Sequence, residues 1–563
     1  MISKTIDTDI LVIGGGLAGC EAAIKAKRED NTVVLVDKGY VSRSGASPLA
    51  AGAINICLPE DDKDVWLREI VQRGEYLNDQ EWVKLQLENG YPLAMEIDAW
   101  GGAYGYEVLE RDEQGALLRK QARGNINTRT CVVNALPMMQ TMRRKALERK
   151  VTLVERVMVT DLVMEGDRVV GAIGLGYRDG NVYLFRAKSV VLAASGCGFK
   201  SFMIGHRNLT GEAQVMAYEA GAILRNLDQA MSSSTSRACD VHGLSLMVGL
   251  GGRYLNSLGE EFMWKYDPEL GSRARLTRLT VGMAHEAAAG RGPLYLDLTR
   301  IDGPGQKLLR KIVPEAFRAF ASLNIEPFAR PMEWIPAFEG SLYHGGGIHI
   351  DTACASNLPG LYSAGDTTCT PEHGTWSITG LNLTFCTVSG DIAGRSAADY
   401  ARQAAPPRLG KADAREKVAR LLAPLDRPQG ESADEIIYGI QEAIIPYEVA
   451  YIRSDDSLQK ALGKIEGIRD GAVPWIKAGS LHELVKAIEA RSMASVGEMI
   501  VKSALYRKES RGFQHRTDYP LTDNDDWLKW IMLQRGENGK MWVWGEAFPM
   551  PYVQAPTGKY APR

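Results

Sequence analysis

The sequence predicts an α/β protein built on a Rossmann-like nucleotide-binding domain, and three observations carry that reading. A short apolar run at residues 10–13 leads at once into Gly14-Gly15-Gly16-Leu17-Ala18-Gly19, then an alanine-rich helical stretch, then a second apolar run ending at Asp37. The chain has 563 residues, too many for one core, so two to four domains are expected. Beyond Tyr400, apolar residues recur at helical spacing between proline breaks, as in a C-terminal helical domain.

Each part of the first segment has a physical reason. Gly14, Gly16 and Gly19 supply a tight turn, a close backbone approach to a pyrophosphate and close helix–strand packing. The helix that follows offers free N–H groups at its N-terminus to the phosphates, beside Leu17 and Ala18. Asp37 sits where a carboxylate binds ribose hydroxyls. A glycine motif alone is weak, but the order strand, turn, helix, strand and acid is specific to dinucleotide binding.

Composition narrows the function classes. A net charge of -3 provides no basic field for nucleic acid or an anionic membrane surface. No stretch approaches the ~18 apolar residues of a membrane span, and the first apolar run stops too early for a signal sequence, so the protein is expected to be cytoplasmic, or membrane-associated only through a partner, without direct membrane insertion. The eight cysteines are scattered without Cys-x-x-Cys spacing, which argues for reduced thiols and against a metal or cluster site on this chain.

Far downstream, Leu358-Pro359-Gly360-Leu361-Tyr362-Ser363-Ala364-Gly365-Asp366 resembles the second FAD signature of two-dinucleotide-fold flavoproteins. The run Ser189-Val190-Val191-Leu192-Ala193-Ala194-Ser195-Gly196 resembles a strand end of the same proteins. The resemblance implies a discontinuous FAD-binding Rossmann-like domain, 1–225 with 341–405, and an inserted α+β capping domain at 226–340. A helical domain at 406–510 and an irregular aromatic tail at 511–563 complete the expected layout. Further cofactor candidates are Lys38, Ser44, Gly45, Ala46, Val157, Glu212, Asn382 and Leu383.

The likeness sharpens to the succinate dehydrogenase/fumarate reductase flavoprotein superfamily. Its landmarks are Arg43-Ser44-Gly45-Ala46 through Asn55, Thr210-Gly211-Glu212, Gly290-Arg291-Gly292-Pro293, Tyr343-His344-Gly345-Gly346-Gly347 and His373-Gly374. Within that superfamily the chain is most similar to adenylylsulfate reductase alpha subunits, on Ala53-Ile54-Asn55, Asp518-Tyr519-Pro520 and Pro551-Tyr552-Val553-Gln554. Two departures matter. Gly45 stands where succinate dehydrogenases tether FAD through a histidine, so a noncovalent flavin is implied. Leu342 and Ser377 stand where fumarate-type sites hold a histidine and an arginine that clamp carboxylates, which disfavours a four-carbon dicarboxylate.

The resemblance also nominates catalytic residues. Arg291 matches a proton-shuttling arginine, His344 and His373 sit in glycine-rich loops near the flavin, and Asn55 packs beside it. Each has a plain alternative, a surface arginine or a buried and satisfied histidine. Arg275 and Arg278 begin a helix of the insert and face either the cleft or solvent. His206, His285, His349 and His482 have no supporting context.

No second glycine fingerprint with a following helix exists, which argues against a nicotinamide site. The second electron pair therefore goes to a partner, a quinone or oxygen, and the resemblance implies a ferredoxin-like [4Fe-4S] subunit. Trp527, Trp530, Trp542 and Trp544 make the tail either that interface or a lid on the helical domain. The tail is expected to be separable, because the FAD domain closes at about residue 405. Arg507-Lys508 with Arg511 and Arg516 forms a basic knot at an interface or the cleft mouth. The small-molecule substrate is expected against loops 100–106, 122–129 and 232–243. The alternatives are a fumarate reductase, succinate dehydrogenase or aspartate oxidase-like enzyme, or an electron-transfer flavoprotein subunit of a larger complex.

Overall fold

The computed structural model describes residues 2–50, 52–201, 205–241, 244–409 and 414–562. Its organising element is a seven-stranded sheet. Parallel strands Thr152–Glu155, Val33–Asp37, Lys4–Ile13 and Val182–Leu192 lie side by side, and the last also pairs in parallel with Leu361–Ser363. Strands Arg168–Gly176 and Val157–Glu165 extend the sheet antiparallel. The central strands read as unbroken apolar runs because helices cover both faces, and Ile10, Leu11, Val12, Leu35, Val36, Val190 and Val191 are essentially inaccessible.

The parallel strands end together, and this places the glycine motif beside distant segments. Gly14 follows the first strand at φ +110°, and a Cβ there would lie 2.2 Å from the Ala193 carbonyl oxygen. A Cβ on Gly19 would lie 1.8 Å from the Gly14 oxygen, so only glycine lets helix Leu17–Ala26 close on the strand. The sequence-derived reason for both glycines is thus met in space. Helix Leu381–Gln403 packs along helix Leu17–Ala26.

A second, antiparallel sheet runs Met231–Ser236, Met332–Gly340, Tyr295–Asp297, Arg253–Leu255. Its apolar core gathers Tyr254, Leu279, Met283, Phe320 and Trp334. His242 and Gly243, part of one expected substrate loop, lie outside the described residues.

The C-terminal region is helical, with Ala433–Ile444, Asp455–Gly467 and Leu481–Tyr506 packed together. Helix Leu481–Tyr506 passes through the protein and buries Met493, Ala494, Val496, Met499, Ile500 and Val501, so its amphipathic period fades where it is enclosed on all sides.

The tail corrects the expectation of an irregular, separable segment. Trp530–Arg535 and Met541–Glu546 form a hairpin that pairs antiparallel with Leu224–Arg225, which in turn pairs with Gly347–Ile348. Trp530 stacks on Phe548 at 4.6 Å, and the Arg225 guanidinium lies 3.9 Å from the Trp530 ring centre. The arginines of the basic knot are likewise interior, while Lys508 is exposed. Arg507 Nε donates to Asp228 at 2.6 Å and its Nη1 to Glu509 at 2.8 Å, while Arg511 donates to Glu509 at 2.7 and 2.9 Å. Arg516 grips Asp518 through both fork nitrogens at 2.8 and 2.7 Å. Arg453, Arg507, Arg511 and Arg516 are all buried, so they are neither interface nor cleft mouth.

Candidate active site

Four strand ends build the larger of two connected cavities. Strand Lys4–Ile13 delivers Gly14 to Gly16, Val33–Asp37 delivers Asp37 and Lys38, Val182–Leu192 delivers Ala193 to Ser195, and Leu361–Ser363 delivers Ala364 and Asp366. The space, about 400 Å³, lies outside the carboxyl ends of a parallel sheet, where such folds bind nucleotides. Ser44, Gly45, Ala46, Val157 and Glu212 complete the wall, with His482 and Glu489 from the long helix. Gly19, Gly196 and Gly365 stand behind the wall, where close backbone packing needs them.

Asp37 is held ready. Its Oδ2 accepts the Gly15 N–H at 2.7 Å and its Oδ1 the Gly39 N–H at 2.6 Å. Burial pushes its pKa up, and these two amide bonds pull in the opposite direction. Lys38 donates to Glu489 at 2.6 Å and Glu212 at 3.2 Å across the cavity floor. Asp366 is buried, and desolvation lifts its pKa to about 6. The Ser195 hydroxyl and the Asn55 and Asn382 amide nitrogens are buried with no hydrogen-bond partner among the described residues. Buried polar atoms are normally satisfied, so this set fits a polar ligand that runs from the glycine turn past Asp366.

The smaller cavity, about 150 Å³, shares Ala46, Ser47, Asp366 and Cys386 with the larger. Tyr343, Trp376, Asn382, Leu383 and Glu339 surround it. Behind Asn382, His373 Nε2 lies 2.8 Å from the Asn382 Oδ1, and the Ser377 N–H points at His373 Nδ1 from 3.4 Å. These contacts fix the tautomer: Nε2 carries the proton and donates, Nδ1 accepts, and the Asn382 N–H₂ is left to face the cavity. His344 lies 5.0 Å from His373 and stacks on Phe513 at 5.3 Å, with both ring nitrogens unpartnered among the described residues. Burial lowers the His373 pKa to about 4, and burial with the neighbouring His373 takes His344 well below the usual value. Both rings are neutral near pH 7.

His344, His373 and Asn55 stand directly behind the smaller cavity, against its wall residues Trp376, Asn382 and Gly380, without lining it, whereas Arg291 lies apart. That arginine donates through Nε and Nη2 to Glu286 at 2.5 and 2.6 Å, holding the Glu286 carboxyl down to about 2, and lines neither cavity. The expected proton shuttle is thus placed in an ion pair with Glu286 beyond the end of helix Leu276–Ala288, away from both cavities. The inner arginine is Arg275, 2% exposed, which donates to Glu75 at 3.0 Å and approaches the Trp376 carbonyl oxygen at 3.5 Å. Arg278 faces away from both cavities, into a third.

Sequence reasoning missed Glu339. It stands next to last in strand Met332–Gly340, is 1% exposed, and has no hydrogen-bond partner for either carboxylate oxygen among the described residues. Burial lifts its pKa to about 8, the nearby Ser233 hydroxyl offsetting little. His206 Nδ1 lies 4.0 Å from Glu339, and its Nε2 lies 2.7 Å from the Tyr343 hydroxyl. The available signal was an acid inside an apolar strand, directly before a glycine-rich loop.

A family model described as FAD binding domain matches residues 9–383, and one described as fumarate reductase flavoprotein C-term matches residues 442–557. The chain is similar to one subunit of the fumarate reductase (CoM/CoB) of Methanothermobacter marburgensis, 28% identical, covering 95% of this chain and 98% of that one. It is equally similar to a fumarate reductase flavoprotein subunit of Mycobacterium tuberculosis, 28% identical over 96% of this chain and 97% of that one. Among solved structures, E. coli quinol fumarate reductase shares the fold at TM-score 0.87 and 21% identity, over 98% of this chain and 99% of that chain. Adenylylsulfate reductase from Archaeoglobus fulgidus shares it at 0.80 and 20%, over 98% of this chain and 97% of that chain. Among the described residues no helix is long and apolar enough to cross a membrane.

Proposed function

The chain belongs to the FAD binding domain family, and from that premise we propose a FAD-dependent oxidoreductase subunit that performs two-electron chemistry on a small anionic substrate beneath the inserted sheet. The observation that carries the proposal is the pair of connected cavities. One is walled by the dinucleotide motif, the other by Tyr343, Trp376, Asn382 and Glu339, and Asp366 lies on both. FAD supplies the redox step when bound. The chain's own groups bind, orient and position protons.

In this reading the first turn of helix Leu17–Ala26 points its free N–H groups at the pyrophosphate, Asp37 takes the ribose and Asp366 the ribityl chain. Gly45 has no nucleophile, and a Cβ there would meet nothing nearer than Leu209 Cδ2 at 4.0 Å, which supports a noncovalent flavin. The neutral His344 and the Asn382 N–H₂ orient substrate, and Glu339, protonated near pH 7, holds a proton at the cavity edge. Leu342 and Ser377 provide no guanidinium for a carboxylate clamp, which supports a substrate resembling that of adenylylsulfate reductases. Electrons pass to or from an iron–sulfur, ferredoxin-like subunit. The relatives' names support a partner of some kind, since two of them are called subunits.

One observation favours a second reading, a fumarate reductase-like activity: relatives named as fumarate reductase subunits are 28% identical over nearly the whole chain. Acid precipitation should release free FAD to the supernatant; yellow colour kept in the pellet would count against noncovalent binding. The reduced holoenzyme, offered a panel of sulfur oxyanions, acyl compounds and dicarboxylates, should be reoxidised by a sulfur oxyanion. Reoxidation by a dicarboxylate alone selects the second reading. If no compound acts, or if the native enzyme contains no iron, the substrate and partner assignments respectively fail.

A further inference from the structure

The third cavity, about 740 Å³, lies beyond Arg275 from the flavin side and contains no part of the glycine motif. Its walls come from helix Lys63–Arg73, the loop at 126–127, the turn at 266–269 and the first turns of helix Leu276–Ala288. Four arginines and four carboxylates line it, and their pairing is unequal.

The carboxylates are occupied. Glu69 accepts the N–H groups of Ile126 and Asn127, each at 2.7 Å, and of Thr128 at 3.0 Å. Glu75 accepts Arg275 at 3.0 Å and the Gly512 N–H at 3.1 Å. Asp267 accepts the N–H groups of Glu269 at 3.2 Å and Leu270 at 2.9 Å, and Glu269 pairs with Arg73 at 3.0 Å. Arg68 and Arg278 are left over. Among the described residues neither guanidinium makes an ion pair or a hydrogen bond. Arg68 sits exposed on the rim, but Arg278 is part-buried in the wall, where desolvation lowers its pKa and Glu75 and Asp267 compensate only in part.

A part-buried guanidinium that only feels carboxylates at a distance has given up water without gaining hydrogen bonds, a cost that a bound anion removes. The rest of the wall suits such an anion, since Gln72 and Asn127 add neutral amide donors for which no partner is seen among the described residues.

We infer that this cavity is a second binding site, separate from the flavin chamber, which takes a small doubly charged oxyanion between Arg278 and Arg68. The same chemistry has two sources. One is the anionic substrate, gathered outside Arg275 before it moves inward. The other is an independent effector such as a phosphate or sulfate ion. The inference does not depend on the redox assignment, because binding is measured without an electron donor.

Isothermal titration of the FAD-loaded protein with inorganic phosphate, sulfate and malonate should give saturable binding of at least one of them, weakening as ionic strength rises. Arg278→Met should weaken that binding at least tenfold, Arg68→Met less, and Arg278→Lys should recover part of it. FAD content and thermal midpoint, read on the same samples, separate a lost site from a lost fold. Should Arg278→Met prove unstable, protection of Arg278 from phenylglyoxal by the same anion in the unaltered protein gives the second measurement. A preference for malonate points to a carboxylate source, and a preference for phosphate or sulfate to a tetrahedral one. The inference is overturned if none of the three anions binds saturably, or if binding is unchanged in well-folded Arg278→Met.

Discussion

Two buried polar regions of this molecule lie close together and are built on opposite principles. In the arginine knot, Arg453, Arg507, Arg511 and Arg516 meet Asp228, Glu509, Asp518 and Gln514 through short, charge-assisted bonds. Around the cavities, Ser195, Asn55, Asn382, His344 and Glu339 are buried to a similar degree but carry polar atoms with no partner among the described residues. A paired charge holds chain segments together. An unpaired polar group costs free energy and persists where something else is to be bound.

Breaking the knot should have the largest effect. Arg507→Met strands the buried Asp228 carboxylate and removes one of the two arginines on Glu509, and should lower stability by about 3–5 kcal/mol in urea unfolding. A change below about 1 kcal/mol would mean that the knot is not structural. His344→Phe tests the other side of the comparison. The aromatic stack on Phe513 survives, so stability should stay within about 1 kcal/mol, while turnover falls at least ~100-fold with FAD content unchanged. Full activity would return His344 to the fold.

Asp37→Ala lies between the two regions in character. It frees two backbone N–H groups and removes a ribose acceptor, so FAD retention after dialysis should weaken by roughly 1.5–3 kcal/mol. Unchanged occupancy would refute the assignment.

Glu339 sharpens the comparison through pH. Its folded pKa, about 8, lies above the ordinary value of 4.5, so between those values the folded state binds the proton more tightly than the unfolded chain. Its contribution is fully present below pH 4.5 and is lost as pH rises toward 8. Between pH 5 and 8 the unfolding free energy of apo-protein should fall less steeply in Glu339→Gln, by about 1 kcal/mol or more. Parallel slopes would show that Glu339 is not buried as an acid. The smallest effect belongs to Arg291→Lys. Among the described residues its side chain pairs with Glu286, so turnover should be unchanged and stability should move by ~0.5 kcal/mol or less. A tenfold loss of turnover would restore Arg291 to the reaction.

What was legible in the sequence follows the reach of each interaction. The glycine turn, Asp37 and the Gly-Asp pair at 365–366 were readable because strand, turn and helix are local and the constraints on Gly14 act within one motif. His344 and His373 were readable through neighbouring glycines. The placement of Arg291 was not legible because spacing alone does not reveal which arginine flanking helix Leu276–Ala288 turns inward; packing against Glu75 and Trp376 selects Arg275. Glu339 was missed because a buried acid leaves no periodic signal. The tail hairpin was invisible for a related reason, since its partner strand, Leu224–Arg225, has only two residues and lies hundreds of positions upstream.

That hairpin sets a timetable for synthesis. Ile531 donates its N–H to Asn226, made 305 residues earlier, and the Trp530 indole N–H reaches the Leu77 carbonyl across 453 residues. At ribosomal speeds of about 5–20 residues per second, Asn226 waits roughly 15–60 s for that partner. Through that interval the edge of Leu224–Arg225 is uncovered, and the nascent chain offers chaperones, or a wrong strand, a place to pair. The glycine turn and its sheet are complete well before then, so the cofactor has a place to bind while the ribosome is still at work, and an early ligand would hold the first half of the protein in register until the last strand arrives.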